Sequence, residues 1–205
     1  MKKFYERYWK NQKTLSDFYY KLPVVKKFIP KEKGVRVLDF GCGKGAVLAE
    51  ILKINPNLKI TGADTSEEAL KTIKKRFKKY KFYKVQDGEK LPFERNTFDF
   101  ILALDVLEHI YDTQNAFSEL SRILKPDGKI LITVPYYGLI KNLIIALFFF
   151  DYIFEPYSPH IRFFTKKTLL TCLSRVKLKP LQTGCFGRFY PVSNGMYVLA
   201  EKRNS

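Results

Sequence analysis

The sequence predicts an α/β fold: an open, doubly wound sheet of seven strands, mostly parallel, with an antiparallel last strand. Three observations predict it. From Val35 to Val134, short β-branched runs alternate with helix-period stretches, a spacing that pairs strands in parallel with helices on both faces. The first run ends in a glycine-rich turn, "DFGCGKGA", placed where such sheets hold ligands. The last two strand-like runs have no helix between them and read as a hairpin. With 205 residues, 46% of them hydrophobic, the chain makes one packed domain, residues 1–205.

The elements follow in order. Residues 1–30 are rich in aromatics at loosely helical spacing and read as a helical cap over the mouth of the domain, with a break at Pro23. Val35–Phe40 is a strand. Gly45–Ile54 is a helix stopped before Pro56. Leu58–Ala63 is a strand. Ser66–Lys79 is a helix, with Ser66 as its N-cap and Glu67 and Glu68 in its first turn. Phe82–Gln86 and Phe98–Leu104 are strands, and a helix follows from about Asp112 to Leu124. "KPDG" is a turn into the strand Lys129–Val134. Thr165–Ser174 is a helix capped by Thr165, and Leu178–Phe186 and Met196–Glu201 form the terminal hairpin.

Composition narrows the setting. Cys42, Cys172 and Cys185 are far apart and show no ligand spacing, so neither a disulfide framework nor a structural zinc site is expected, and a cytoplasmic location is the simplest reading. The N-terminus is mixed and charged, with no apolar core followed by a small-residue cleavage site, so it does not read as a secretory signal. The net charge is +17. Nucleic acid or an anionic membrane would attract such a chain; a lysine-rich solvated surface is the preferred reading, since the lysines are spread over many segments and the densest run, Lys71–Lys84, reads as the outer face of a helix.

What the glycine turn holds is decided by the acids around it. Gly41, Gly43 and Gly45 let a ligand approach the backbone. There is no GxxxxGK[ST], so a triphosphate cradle is excluded. Asp39 lies close to where a pyrophosphate would rest, and its charge opposes an anion but suits a ligand with an ammonium group. Asp64 ends the second strand, where a carboxylate accepts both ribose hydroxyls. Asp87 can accept from an exocyclic adenine amine, with Gly88 beside it. Three acids at three successive strand ends are costly as mere scaffold.

"VLDFGCGKG", "GADTS", "QDGEKLPF", "FDFILALDVLEHI" and "LSRILKPDGKILITVP" together resemble the successive motifs of class I S-adenosylmethionine-dependent methyltransferases, in order and at the expected separations. The likeness is greatest to the small-molecule branch around the ubiquinone and menaquinone methyltransferases. It covers roughly Val35–Pro135. It implies a Rossmann-like methyltransferase fold and S-adenosylmethionine as cofactor. Asp39, Gly41, Cys42 and Gly43 would line its methionine half, and Asp64 and Thr65 its ribose. Asp87 and Gly88 would face adenine. Asp105, Val106 and Leu107 would lie beneath the sulfonium and the acceptor.

Methyl transfer needs an aligned acceptor and, for a protonated nucleophile, a base. The chain's two histidines, His109 and His160, are the candidate catalytic groups. In "DVLEH", Asp105, Glu108 and His109 would share one face if the stretch is helical. The spacing resembles the E-x-x-E-H segment of metal-assisted relatives, in which a later histidine completes a magnesium site; Asp105, Glu108, His109 and His160 would be that set here, with Asp105 departing from the first glutamate. A general base, a magnesium site and simple packing all stay open. Arg162 could meet a carboxylate or phosphate.

The segment 136–160 reads as a substrate-side insert, apolar from Leu143 to Phe150 and too short to span a bilayer. Three readings remain: a lid over an apolar acceptor pocket, a membrane contact through residues 139–154, or a dimer contact. Tyr136, Tyr137, Tyr152 and Tyr157 would add amphipathic walls. The expectation is a methyltransferase acting on a small, hydrophobic or lipid-linked acceptor, as monomer or homodimer. The rivals are an RNA methyltransferase using the basic surface and a non-catalytic S-adenosylmethionine-binding module. The absence of [ND]PP[YF] and CxxxCxxC argues against base-amine and radical methylation.

Overall fold

The computed structural model describes residues 18–154 and 160–203. Residues 1–17 of the expected cap, and 155–159 of the expected insert with Tyr157, lie outside the described residues. The elements are α1 (Phe18–Phe28), β1 (Arg36–Phe40), α2 (Ala46–Ile54), β2 (Lys59–Asp64), α3 (Glu67–Arg76), β3 (Lys81–Lys84), β4 (Phe98–Leu104), α4 (Thr113–Ile123), β5 (Leu124–Pro135), α5 (Leu139–Ile144), α6 (Phe150–Ile153), α7 (Lys166–Ser174), β6 (Leu178–Phe186) and β7 (Gly195–Lys202). A 3-10 turn, Leu107–His109, follows β4, and a π-helical stretch, Ile145–Phe149, joins α5 to α6.

The seven strands lie in the order β3-β2-β1-β4-β5-β7-β6. β1 pairs in parallel with both β2 and β4, so the strand order reverses on either side of it. β7 is antiparallel to both β5 and β6. The alternation of side chains along β1 divides the core. Leu38 and Phe40 pack with Phe117 and Leu120 of α4 and Leu169 and Leu173 of α7. Val37 packs on the opposite face with Val24 and Val25 of α1, Leu48 and Ile51 of α2, and Leu70 and Ile73 of α3.

Helix starts follow from the capping residues. The Ser66 side chain accepts from the Ala69 amide, and Asp112 accepts from Asn115. Thr165 makes a reciprocal capping box with Thr168. The first part of the lysine run has its expected place: Leu70 and Ile73 of α3 are buried, whereas Lys71, Lys74 and Lys75 face solvent; the helix ends at Arg76, and Lys81–Lys84 form β3 instead.

Three local expectations are corrected. α1 continues through Pro23; the carbonyl that Pro23 leaves unbonded belongs to the turn carrying Tyr19 and Tyr20, which solvent reaches. "KPDG" does not precede β5 but bulges out within it. Phe98 pairs with Leu124 and Phe100 with Lys129, and Asp127 takes up the bend at φ 59°. "DVLEH" is not an α-helix: Asp105 sits at φ 52° and only Leu107–His109 coil, as a 3-10 turn.

Candidate active site

The floor of the site is the carboxyl end of β1, beside the tips of β2 and β4. Gly41 leaves β1 at φ 80°, and its amide donates to the Ala63 carbonyl at 2.7 Å. A Cβ there would come within 2.2 Å of Val106 Cγ2. Gly45 starts α2 at φ 81°, and a Cβ on it would press on Ile73 and Phe77. The bare turn therefore serves two ends: it lets Val106 close from β4, and it frees backbone for a ligand.

Asp39 and Asp64 are both buried here. The two Asp64 oxygens accept from the Gly43 amide at 2.8 Å and from the Ser66 amide at 2.9 Å. The carboxylate is thereby fixed across the mouth of the turn. Asp39 differs. Its Oδ2 is buried without a hydrogen-bond partner among the described residues. Burial, reinforced by Asp64, pushes its carboxyl up from 3.8 to about 7. A carboxylate in that state lacks a cation, and the ammonium of an amino-acid moiety supplies one. Cys42 is buried in the core, and burial, then Asp39 and Asp64, push its thiol well up. Its side chain stays a neutral packing group, so any part in ligand binding falls to its backbone. Thr65 is half-buried between Asp64 and Ser66.

Toward β3, Asp87 is exposed and accepts from the Tyr111 amide at 2.6 Å. Gly88 stands at φ 81° with open space over it. Both lie on the rim where a base would slide in.

Toward β4 the structure adds a residue the sequence reading missed. The buried Lys21 of α1 forms an ion pair with Asp105 Oδ2, and Thr133 of β5 donates to Asp105 Oδ1 at 2.6 Å. The signal existed: Lys21 precedes Val24, Val25 and Phe28 at helical spacing, which puts it on the buried face of α1. With its carboxylate engaged by Lys21 and Thr133, Asp105 does not join Glu108 and His109 as a ligand set. Leu107 is fully buried in the core and lines no ligand surface.

Glu108, His109 and His160 do converge. One ligand atom from each lies within 4.8 Å of the others. The two imidazoles stack with centroids 5.0 Å apart, and His109 Nε2 is 4.0 Å from Glu108 Oε1. The Ile161 and Arg162 amides both donate to the Glu108 carbonyl, at 3.1 and 3.0 Å; this pins the segment after the insert onto the turn after β4 and brings His160 in. Both Glu108 carboxyl oxygens are buried without a partner among the described residues. Burial, then Asp105, push this carboxyl well above the usual carboxylate range. Two imidazoles and one carboxyl match a nitrogen-preferring divalent ion better than magnesium, which favours oxygen donors. Tyr137 is buried nearby, its hydroxyl pushed up by burial and by Glu108. Arg162 donates to the Tyr111 carbonyl at 2.6 Å and lies over the Tyr111 ring.

Residues 38–132 match the model of a family described as a methyltransferase domain. The chain is 33% identical over 117 residues to the ubiquinone biosynthesis O-methyltransferase of Coxiella burnetii, a match covering 54% of this chain and 49% of that protein. It is 34% identical over 122 residues to the ubiquinone/menaquinone biosynthesis C-methyltransferase of Desulfotalea psychrophila, covering 57% and 48%. It is 32% identical over 117 residues to phosphoethanolamine N-methyltransferase 2 of Caenorhabditis elegans, covering 55% and 26%. The matched part thus spans half or less of these relatives. Among solved structures, a SAM-dependent methyltransferase from Aquifex aeolicus superposes with a TM-score of 0.70 at 18% identity, over 96% of this chain and 97% of that one. A Haloferax volcanii protein solved in complex with the Trm112 methyltransferase activator gives 0.82 at 15% identity, over 100% and 98%.

Proposed function

We propose that this chain is a class I S-adenosylmethionine-dependent methyltransferase that transfers a methyl group to a small, hydrophobic or lipid-linked acceptor. The observation that carries the cofactor half is the unpartnered Asp39 oxygen beside a bare glycine turn, which fits an ammonium and repels a pyrophosphate. When bound, S-adenosylmethionine supplies an activated methyl carbon on a sulfonium. Asp39 holds its ammonium. Asp64, oriented by the Gly43 and Ser66 amides, holds the ribose hydroxyls. Asp87 and Gly88 bound the adenine. Asp105, fixed by Lys21 and Thr133, bounds the site at the tip of β4.

The acceptor half rests on His109 and on the aromatic side chains that flank the insert. Tyr137, Phe154 and Phe163 form an aromatic group, with Tyr137–Phe163 centroids 5.0 Å apart and Phe154–Phe163 5.5 Å apart. Such walls suit a flat or prenylated acceptor. As the nucleophile bonds to the methyl carbon, the carbon–sulfur bond would break and the sulfur would leave as a neutral thioether; His109 would take the proton the nucleophile gives up, with its ring held in place by the stacked His160. A nitrogen, oxygen or carbon nucleophile is compatible with this scheme, and the relatives' names include all three.

The test is incubation of the chain with labelled methyl donor and fractionated cell extract. Label in the lipid fraction is the expected result. Label in RNA would overturn the acceptor class, and no donor binding at millimolar concentration would overturn the whole reading. The three ligand atoms within 4.8 Å favour one second reading, a divalent ion held by Glu108, His109 and His160. Turnover lost in chelator and restored by an added ion supports that reading; turnover unchanged in chelator leaves His109 as the base.

A further inference from the structure

The insert after β5 inverts the usual partition of side chains. From Asn142 to Phe154 its one charged residue is Asp151, yet Ile145 is its one buried residue. Leu139 is 86% exposed, Leu147 65%, Phe148 74% and Tyr152 82%. Ile140, Leu143, Phe149 and Phe150 are exposed beside them. A water-facing apolar patch of this kind marks a surface that something covers.

The surroundings say what covers it. β5 pairs Pro135 with Gly195 of β7, so the 187–194 loop leaves the same edge of the sheet as the insert. That loop presents Arg188, Phe189 and Tyr190, all exposed, with Phe189 at 76%. Lys141 feels Arg188, and Lys141 and Lys166 both act on the Cys185 thiol, which places the three cations around one spot. The segments 136–154, 160–168 and 187–194 together hold Lys141, Arg162, Lys166, Lys167 and Arg188 against the single acid Asp151. Aliphatic side chains next to lysine and arginine match the acyl boundary and headgroups of an anionic bilayer. RNA would use the cations and stack on the aromatics, but it has no use for Leu139, Leu143 and Leu147.

We infer that residues 139–154, with the 187–190 loop and its cationic rim, form an interfacial anchor that seats the carboxyl edge of the sheet on an anionic membrane surface. The placement rests on the proposed function, because that edge carries Asp39, Asp64 and His109. Docked there, the enzyme opens its acceptor side toward the bilayer, and a lipid-linked acceptor reaches His109 without crossing water. No helix among the described residues is long and apolar enough to cross a membrane, so the contact is made in the plane of the interface.

The experiment is sedimentation of the full chain with vesicles of phosphatidylcholine alone and of phosphatidylcholine with phosphatidylglycerol. The chain should partition onto the anionic vesicles, more weakly as salt rises. Leu147→Glu with Phe148→Glu should reduce that partition more than tenfold, and Arg188→Glu should reduce it severalfold and flatten the salt dependence. Binding of S-adenosylmethionine to each variant, measured by calorimetry, should stay within twofold of the wild type. A wild-type chain left in the supernatant overturns the inference. So does a double variant that sediments like the wild type, or a dimer that the double variant dissolves in the absence of vesicles. Vesicle binding by a chain that binds no S-adenosylmethionine would sink the proposed function and leave the anchor standing.

Discussion

The tips of β1 and β2 and the insert after β5 break the same rule in opposite directions. At the strand tips, acids are buried: Asp39 and Asp64 lie out of water, and one Asp39 oxygen has no partner among the described residues. In the insert, apolar side chains are exposed: Leu139, Phe148 and Tyr152 stand in water. Each arrangement is unfavourable by itself. On the proposed reading each becomes favourable against a complementary surface, an ammonium nucleoside at the floor and an anionic apolar boundary at the rim. The difference lies in how the neighbours are held. The floor is fixed by strands paired on both sides and by backbone amides on Asp64. The rim projects from the sheet and is fixed at few points, among them Ile145 and the Lys141 bond to the Ser193 carbonyl at 2.9 Å. The floor should therefore answer substitution with large, specific losses of cofactor affinity, and the rim with small changes in stability and none in cofactor affinity.

The largest effect is expected at Gly41. Gly41→Ala forces a Cβ to within 2.2 Å of Val106 Cγ2 at φ 80°. Cofactor affinity measured by calorimetry should fall by about a hundredfold or more, with a lower melting temperature. An unchanged affinity would show that Val106 moves freely and that the floor is softer than the comparison holds.

Next is Asp64→Ala, which removes the carboxylate between the Gly43 and Ser66 amides. Cofactor binding should weaken by about 1–3 kcal/mol. A smaller loss would mean that the ribose is held elsewhere.

Asp39 sharpens the comparison through pH. Its carboxyl titrates near 7 instead of 3.8. The ionised form pairs with the ammonium, so cofactor affinity should rise as pH climbs through about 7, and Asp39→Asn should flatten that rise. Without cofactor the sign reverses. The folded chain holds this proton more tightly than the unfolded chain, so the stability it gives at low pH is lost as pH rises from 3.8 to about 7. Asp39→Asn should therefore raise the melting temperature at pH 8 in the absence of cofactor. A lowered melting temperature would make Asp39 a structural hydrogen-bonding group.

His109→Ala should leave cofactor affinity within twofold and lower turnover by about 10²–10⁴-fold. Joint loss of both would make the His109–His160 stack a packing device. The smallest effect belongs to the rim: Leu143→Ser should change unfolding free energy by less than about 0.5 kcal/mol, because the residue is exposed. A larger loss would mean that the rim is packed against the chain.

The sequence by itself determined the order of the strands and helices along the chain, the caps at Ser66 and Thr165, and the acids at the tips of β1, β2 and β3. These are readable because they follow from local chemistry: the period of apolar residues, a side-chain oxygen before a helix, a glycine where the chain must turn. Only the tertiary structure decided the rest. Glu108 and His109 are adjacent in sequence, but His160 joins them because the Ile161 and Arg162 amides bind the Glu108 carbonyl across the insert. Lys21 reaches Asp105 because α1 packs over the sheet face that carries Leu102 and Leu104. The "DVLEH" spacing pointed to a shared helix face, and the positive φ of Asp105 undid it. Whether the apolar insert is core or surface had no local answer, since periodicity says how residues share a face and not what that face meets. Long-range packing settles such matters, and it leaves residues 139–154 largely in water.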